Sequence, residues 1–262
     1  MARSHLFEFE DQPWFPDLIR TAMTAYMRVV ADFGGHAARV APILQRAIDR
    51  SGATEIVDLG SGGGGPTVGS FHLLHRRRPD LRLTLTDLHP NIGSLGRAAD
   101  ALPDAIRVAD SPVDATAVPA TLKGLRTLMN VLHHLRPAQA QAVLGSAVQA
   151  RQPIVVVELL RRHPLAILAC CLSFVPLLLS IPFLRPFRWS WLLWSYLVPV
   201  IPLAGVWDGV VSSLRIYSEE ELRGLVASLE GSDSYDWEFG ALDLAPSPVP
   251  GNYLIGTPRL AR

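Results

Sequence analysis

Residues 55–66 read Glu-Ile-Val-Asp-Leu-Gly-Ser-Gly-Gly-Gly-Gly-Pro. An apolar, β-rich run ends in an acid, passes into a turn built almost wholly of glycine, and meets a proline able to open a helix. Glycine carries no Cβ, so the backbone can turn tightly there and lie close to a ligand. A glycine run between a strand and a helix is costly in entropy, which argues against a turn that serves no ligand. Asp58 falls where the strand ends, with its carboxylate toward the same crevice. A strand, a glycine turn and a helix in this order commit the chain to an open α/β sheet, with its ligand beyond the carboxyl ends of the strands.

Gly60, Gly62 and Gly65 satisfy G-x-G-x-x-G, the dinucleotide fingerprint, which by itself is a weak match. No Gly-Lys-Ser/Thr follows, so a P-loop is excluded. The order Asp58, Gly60, Gly62, Gly64, an acid followed by alternating glycines, resembles the first motif of the class I S-adenosylmethionine-dependent methyltransferases. A dinucleotide site has no need of a carboxylate two residues before its first glycine. The resemblance implies one near the amino-acid part of the cofactor, here Asp58.

The rest of the chain alternates strands with helices. Strands are expected at about 54–59, 81–87, 106–110, 125–131 and 154–157, the last so apolar that it suits a parallel strand covered on both faces. Helices are expected from Asp17, from about 36 to 50, from the glycine turn to about Arg78, and from about 137 to 150. Ser218 and Glu221 make a capping box at a further helix start. Two closing strands fit Tyr235–Leu242 and Tyr253–Gly256, joined by a loop with Pro246, Pro248, Pro250 and Gly251. The fold expected is a doubly wound, mostly parallel Rossmann-like sheet. It carries an N-terminal helical cap (1–51), a cofactor-binding core (52–160 and 217–262) and an apolar insertion after strand five (161–216). In the family resembled, such N-terminal helices cover the site; packing on the sheet is the alternative.

Further candidate residues stand at the strand ends. Asp87 ends strand two, where the resemblance implies a carboxylate that accepts from both ribose hydroxyls. After strand three, Pro112-Val113-Asp114-Ala115 resembles the family's third motif and suggests Asp114 at the adenine, with Asp110 as the alternative. Strand four runs into His133-His134, and imidazole is suited to taking a proton near neutrality. Either histidine could serve as general base for a hydroxyl or amine acceptor, although a lone histidine is more often structural. Glu158 ends strand five, placed to bind substrate or to pair with Arg161 or Arg162. Methyl transfer from a sulfonium asks mainly that the acceptor be held in line, an effect able to supply roughly 7–11 kcal/mol. An acceptor that is already anionic needs no base.

Hydrophobic residues make up 49% of the chain. Much of the excess lies in 164–207, where two uncharged runs (164–184 and 189–207) flank Arg185-Pro186-Phe187-Arg188. Each run has the length of a membrane span. Both sides of the insertion must join one sheet, so spans would come as a pair, and the arginines between them oppose the positive-inside tendency. Prolines 176, 182, 199 and 202 interrupt both runs. The expectation is therefore a segment that shapes an apolar acceptor pocket and rests against a membrane face without crossing it, with Trp189, Trp191 and Trp194 at headgroup level. A homodimer surface is the alternative cover.

The charges balance, 24 basic against 24 acidic residues, and argue for no nucleic-acid partner. The N-terminus lacks the pattern of a secretory signal. Adjacent Cys170 and Cys171 suit buried apolar positions better than a disulfide, and no Cys/His spacing suggests a metal. The function expected is transfer of a methyl group from S-adenosylmethionine to a small or lipophilic acceptor, at oxygen rather than nitrogen, by a cytoplasmic enzyme at or near the inner membrane face. The rivals are an NAD(P)-dependent oxidoreductase, for which no Tyr-x-x-x-Lys pair is present, and a non-catalytic cofactor-binding or membrane-associated protein.

Overall fold

The computed structural model describes residues 1–245 and 247–259; Pro246 of the closing loop and the last residues of the expected core, 260–262, lie outside them. Its centre is a seven-stranded sheet in the order β3-β2-β1-β4-β5-β7-β6. The strands are β1 (Glu55–Leu59), β2 (Arg82–Thr86), β3 (Ile106–Val108), β4 (Leu125–Met129), β5 (Ile154–Glu158), β6 (Tyr235–Leu242) and β7 (Gly251–Pro258). The first five pair in parallel, and β7 enters antiparallel between β5 and β6. Strand order reverses between β1 and β4, and a crevice opens at the carboxyl ends of the strands at such a point.

The helices are α1 (Asp17–Phe33), α2 (His36–Ser51), α3 (Gly65–His75), α4 (Ile92–Ala99), α5 (Pro137–Gln149), α6 (Pro164–Leu172), α7 (Phe174–Ser180), α8 (Trp189–Leu192), α9 (Val200–Arg215) and α10 (Glu219–Ala227). Alternate residues of β5 feed opposite faces of the sheet. Val155 and Val157 join Leu44, Ile48, Phe71 and Leu83 under α2, α3 and α4. Ile154 and Val156 join Leu128, Leu144, Leu222 and Tyr235 under α5 and α10. This period of two explains why the strand is apolar throughout.

Three local expectations need adjustment. The last strand begins at Gly251, expected in the connecting loop, because Gly251 pairs with Leu242 of β6. No helix was expected between β2 and β3, yet α4 forms there, with Asn91 Oδ1 accepting from Ser94 N at 3.1 Å. Its eight residues include two glycines, too little apolar periodicity to read from sequence. Helix α3 ends at His75 rather than Arg78, in the turn leading to Pro79. The capping box at α10 forms in full, with Ser218 Oγ on Glu221 N and Glu221 Oε2 on Ser218 N.

A third core lies away from the sheet. Phe15, Ile19 and Met23 from the N-terminal segment and α1 pack with Leu177, Ile181, Leu184, Trp191, Ile201 and Ala204 of the insertion. Trp191 is therefore not at a surface: it is buried, and its indole N–H donates to Leu18 O at 3.0 Å. Trp194 is packed against the same cluster, and of the three tryptophans only Trp189 faces outward. The cysteines also divide, Cys170 being buried and Cys171 exposed, because neighbours on a helix point about 100° apart. Helix α2 packs on the sheet, whereas α1 walls a cavity.

Candidate active site

A cavity of about 450 Å³ opens at the carboxyl ends of β1 and β4. The glycine turn forms its floor, through Gly60, Gly63 and Gly64. Helix α1 and the inner faces of α6, α7 and α9 enclose it, and His133, His134 and Asn130 come from the end of β4.

The glycine turn is tightly seated behind and open in front. At Gly64, where φ is +85°, a Cβ would come 2.9 Å from Val68 Cγ2 and 3.1 Å from Ala98 Cβ. At Gly62, where φ is +53°, a Cβ would meet no heavy atom within 4 Å. The loop thus offers bare backbone to the space above it, a cradle that a bound cofactor's polar end can lie against.

Asp58 lies beneath this loop. In-register pairing of β1 with β4 sets Asp58 opposite Thr127, whose hydroxyl donates to Asp58 Oδ1 at 2.6 Å. Thr67 of α3 donates to the same oxygen at 3.0 Å. Burial pushes the carboxyl up to about 6, against the opposing effect of these hydroxyls. Asp87 is partly buried, and its carboxylate is committed to the turn: Oδ2 accepts from Gly62 N at 2.8 Å and Oδ1 from His89 N at 2.9 Å. It therefore ties the end of β2 to the glycine loop. Asp114 and Asp110 are both exposed and stand outside the cavity wall. Asp114 Oδ1 accepts from Thr116 N at 2.8 Å and from Thr116 Oγ1 at 2.7 Å, a local turn. The structure thus brings Asp58, Gly60 and Gly64 together with the two histidines around one cavity, places Asp87 and Gly62 at its edge, and leaves Asp114 apart.

The two histidines differ sharply. His133 is buried against Glu158, whose Oε1 accepts from His133 N at 3.0 Å and whose Oε2 is 2.7 Å from His133 Nδ1. A carboxylate only accepts, so Nδ1 carries the proton and Nε2 is the basic atom of the neutral ring. Glu158 is therefore not paired with either neighbouring arginine; Arg162 bonds Glu221 instead, at 2.9 Å. His134 meets two acids from the N-terminal segment, Asp11 at 2.8 Å and Glu8 at 3.3 Å. Burial alone would depress its pKa, but the hydrogen bond to Asp11 and the charges of Glu8, Asp11 and Glu158 outweigh that and raise it to about 9. His134 is an imidazolium at neutral pH and holds no free pair with which to take a proton.

The sequence reading missed the frame around His134. Buried Arg215, at the end of α9, donates through Nη1 to Asp11 Oδ2 at 2.6 Å and forms an ion pair with Glu8, whose Oε1 lies 3.1 Å from the same nitrogen. Asp208, about two turns earlier on α9, accepts from Phe9 N at 2.7 Å and Glu10 N at 3.0 Å. Burial raises Asp208 to about 6 and Glu10 to about 7, each further lifted by neighbouring acids. Residues 3–11 are thereby strapped across the cavity. The acids among the aromatic residues of 6–16 were the available signal. Glu8, His133 and His134 bring one potential ligand atom each within 4.8 Å of one another, but Arg215 and the His134 proton already supply positive charge there.

No protein-family model matches this sequence, and no curated protein matches it. Among solved structures, similarity extends to the pyocyanin biosynthetic protein PhzM (TM-score 0.50, 17% identity, 86% of this chain and 55% of that one). It extends equally to the mitomycin 7-O-methyltransferase MmcR (TM-score 0.50, 20% identity, 86% and 54%). The methyltransferase domain of bacterial-CtHen1-CN is similar over 84% of this chain and 97% of its own, at TM-score 0.50 and 14% identity. The chain spans about half the length of PhzM and MmcR. At such identities the likeness is one of fold.

Proposed function

From the premise that this chain has the class I S-adenosylmethionine-dependent methyltransferase fold, we propose that it methylates an oxygen of a small lipophilic molecule, at or near the inner face of a membrane. The observation that carries this reading is the pairing of His133 with Glu158 in the wall of the cavity that the glycine turn floors. When bound, S-adenosylmethionine supplies a methyl group already activated on sulfur. Everything else falls to residues of the chain.

The glycine turn and Asp58 would hold the cofactor's amino-acid end, and Asp87, which braces Gly62, would take its ribose hydroxyls. Glu158 fixes the His133 ring and its tautomer, so Nε2 is the atom that would accept the acceptor's proton. His134 is the wrong group for that step and has another use. Its positive ring lies 4.1 Å from the His133 ring and favours an acceptor oxygen as it gains negative charge. Met23, Tyr26, Leu177 and Ala169 give the rest of the wall its apolar character. Asp114 stands outside the cavity, and only its sequence resemblance supports an adenine role.

Parallel calorimetric titrations with S-adenosylhomocysteine, NAD and NADP test the reading. Binding of the first alone is expected. Binding of NAD with no response to S-adenosylhomocysteine would replace methyl transfer with hydride transfer.

A further inference from the structure

The largest anomaly of this molecule is a helix that folding leaves uncovered. Residues Pro164–Phe183 form a 20-residue helical run through α6, α7 and the turn after them, long and apolar enough to cross a bilayer, yet only 17% of its apolar window is buried. Its two faces are distinct. Ala166, Cys170, Leu177 and Ile181 point inward, against α9 and the third core. Leu165, Leu168, Leu172, Val175, Leu179 and Phe183 recur at helical spacing on the outer face, with Leu172 65% and Phe183 74% exposed. Tyr196, which donates to Leu178 O at 2.8 Å, joins the segment holding exposed Leu193 and Leu197 to the same surface. Soluble monomers seldom expose so large a contiguous apolar face.

We propose that this outer face lies in the plane of an anionic bilayer surface, and, resting on the methyl-transfer reading, that the acceptor enters the cavity from the lipid. The charges favour lipid over other covers. Between Glu158 and Asp208 the chain carries no carboxylate, and its charged residues there are Arg161, Arg162, Arg185 and Arg188. Arg185 and Arg188 are exposed beside Trp189, which is 78% exposed, the combination that anchors helices at headgroup level. A second copy is a poorer fit. In a two-fold dimer the patch meets itself, so these arginines would face one another with no acid of the segment between them. A transmembrane hairpin is poorer still, since the inner face of the run walls the cavity and α9 is held at Asp208 and Arg215 by the N-terminal segment. The helix lies on the membrane because it cannot leave the fold.

The route follows from the same geometry. Ala169, Arg185 and Pro186 are exposed and also line the cavity, so it reaches the surface beside the apolar face. A molecule dissolved among acyl chains would meet the cavity without passing through water.

Flotation of the full chain with vesicles of phosphatidylcholine, with and without phosphatidylglycerol, tests this. The wild type is expected to float with anionic vesicles and less with neutral ones. Leu172→Glu/Leu179→Glu is expected to lower the bound fraction at least roughly tenfold while S-adenosylhomocysteine affinity is retained, since both side chains are exposed. Arg188→Gln is expected to reduce binding to anionic vesicles only. Protein that stays unbound to both vesicles, or a double variant that still floats, overturns the docking face. A wild-type dimer in sedimentation that the double variant converts to monomer assigns the face to a second copy. Retention through a carbonate wash overturns the in-plane geometry. Flotation without S-adenosylhomocysteine binding removes methyl transfer and the acceptor route but leaves the docking face, whereas the reverse pattern does the opposite.

Discussion

The His134 cluster makes stability depend on pH in a window where little else titrates. The ring has an ordinary pKa of 6.5 and is raised to about 9 in the folded protein, burial being outweighed by Asp11, Glu8 and Glu158. A raised value means that the folded state binds the proton more tightly. The stabilisation is complete below pH 6.5 and is lost as pH rises through 9. Between those values the folded state holds one proton more than the unfolded chain, so stability falls by about 1.4 kcal/mol per pH unit, or roughly 3 kcal/mol in all. Asp11 shifts less, to about 2, because burial opposes its pairing with His134 and Arg215 and it is partly exposed. Its contribution is lost only as pH falls toward that value. Burial-raised Asp58 and Asp208 titrate between 3.8 and about 6, below the window, and Glu10, raised from 4.5 to about 7, overlaps only its lower edge. Tyr217 and Tyr235, raised by burial to about 12, act above it. Urea unfolding at half-unit steps from pH 7 to 9.5 measures the slope. His134→Gln is expected to flatten it, with the variant less stable at pH 7 and nearly equal to the wild type at pH 9.5. A wild-type slope near zero, or one that His134→Gln leaves in place, would refute the imidazolium assignment and reopen His134 as a base.

Two further outcomes address the site directly. Glu158→Gln keeps an acceptor for the His133 amide but presents N–H groups to Nδ1, which is expected to move the ring proton to Nε2. Nitrogen NMR of the imidazole reads that tautomer without any acceptor, and an unchanged spectrum counts against the orienting role. Losing a bond to a charged group should raise the methyl-transfer barrier by about 1.5–3 kcal/mol, roughly 10–150-fold in kcat, with S-adenosylhomocysteine affinity little changed. Gly62→Val places a branched side chain at φ +53° in the open space above the loop, and Asp87→Ala frees the Gly62 amide. Each is expected to weaken S-adenosylhomocysteine binding by about 1–3 kcal/mol with the fold retained, measured by calorimetry. Unchanged affinity in folded Asp87→Ala protein would remove that residue from the cofactor site.

Local chemistry alone specifies the strands, the turn and one helix start. Alternation and apolar runs placed the seven strands, and the acid-glycine turn at 58–64 fixed where the crevice had to open. Ser218 and Glu221 announced their helix because a capping box is complete within four residues. The reading that put candidate groups at strand ends found Asp58, the two histidines and Glu158, since β1, β4 and β5 are neighbours in any sheet of this order. Only the tertiary structure told the histidines apart. His133 is fixed by a partner 25 residues away, but His134 takes its charge from Asp11, 123 residues before it, and Asp11 is held by Arg215, 204 residues beyond. Likewise no periodicity separates Trp189 from Trp191; one is exposed and the other buried because the insertion folds back onto Phe15 and Ile19. Strand and turn preferences act over a few residues and leave a mark in composition. The protonation of a ring and the facing of a helix are set by charges and surfaces that meet only after the chain has closed.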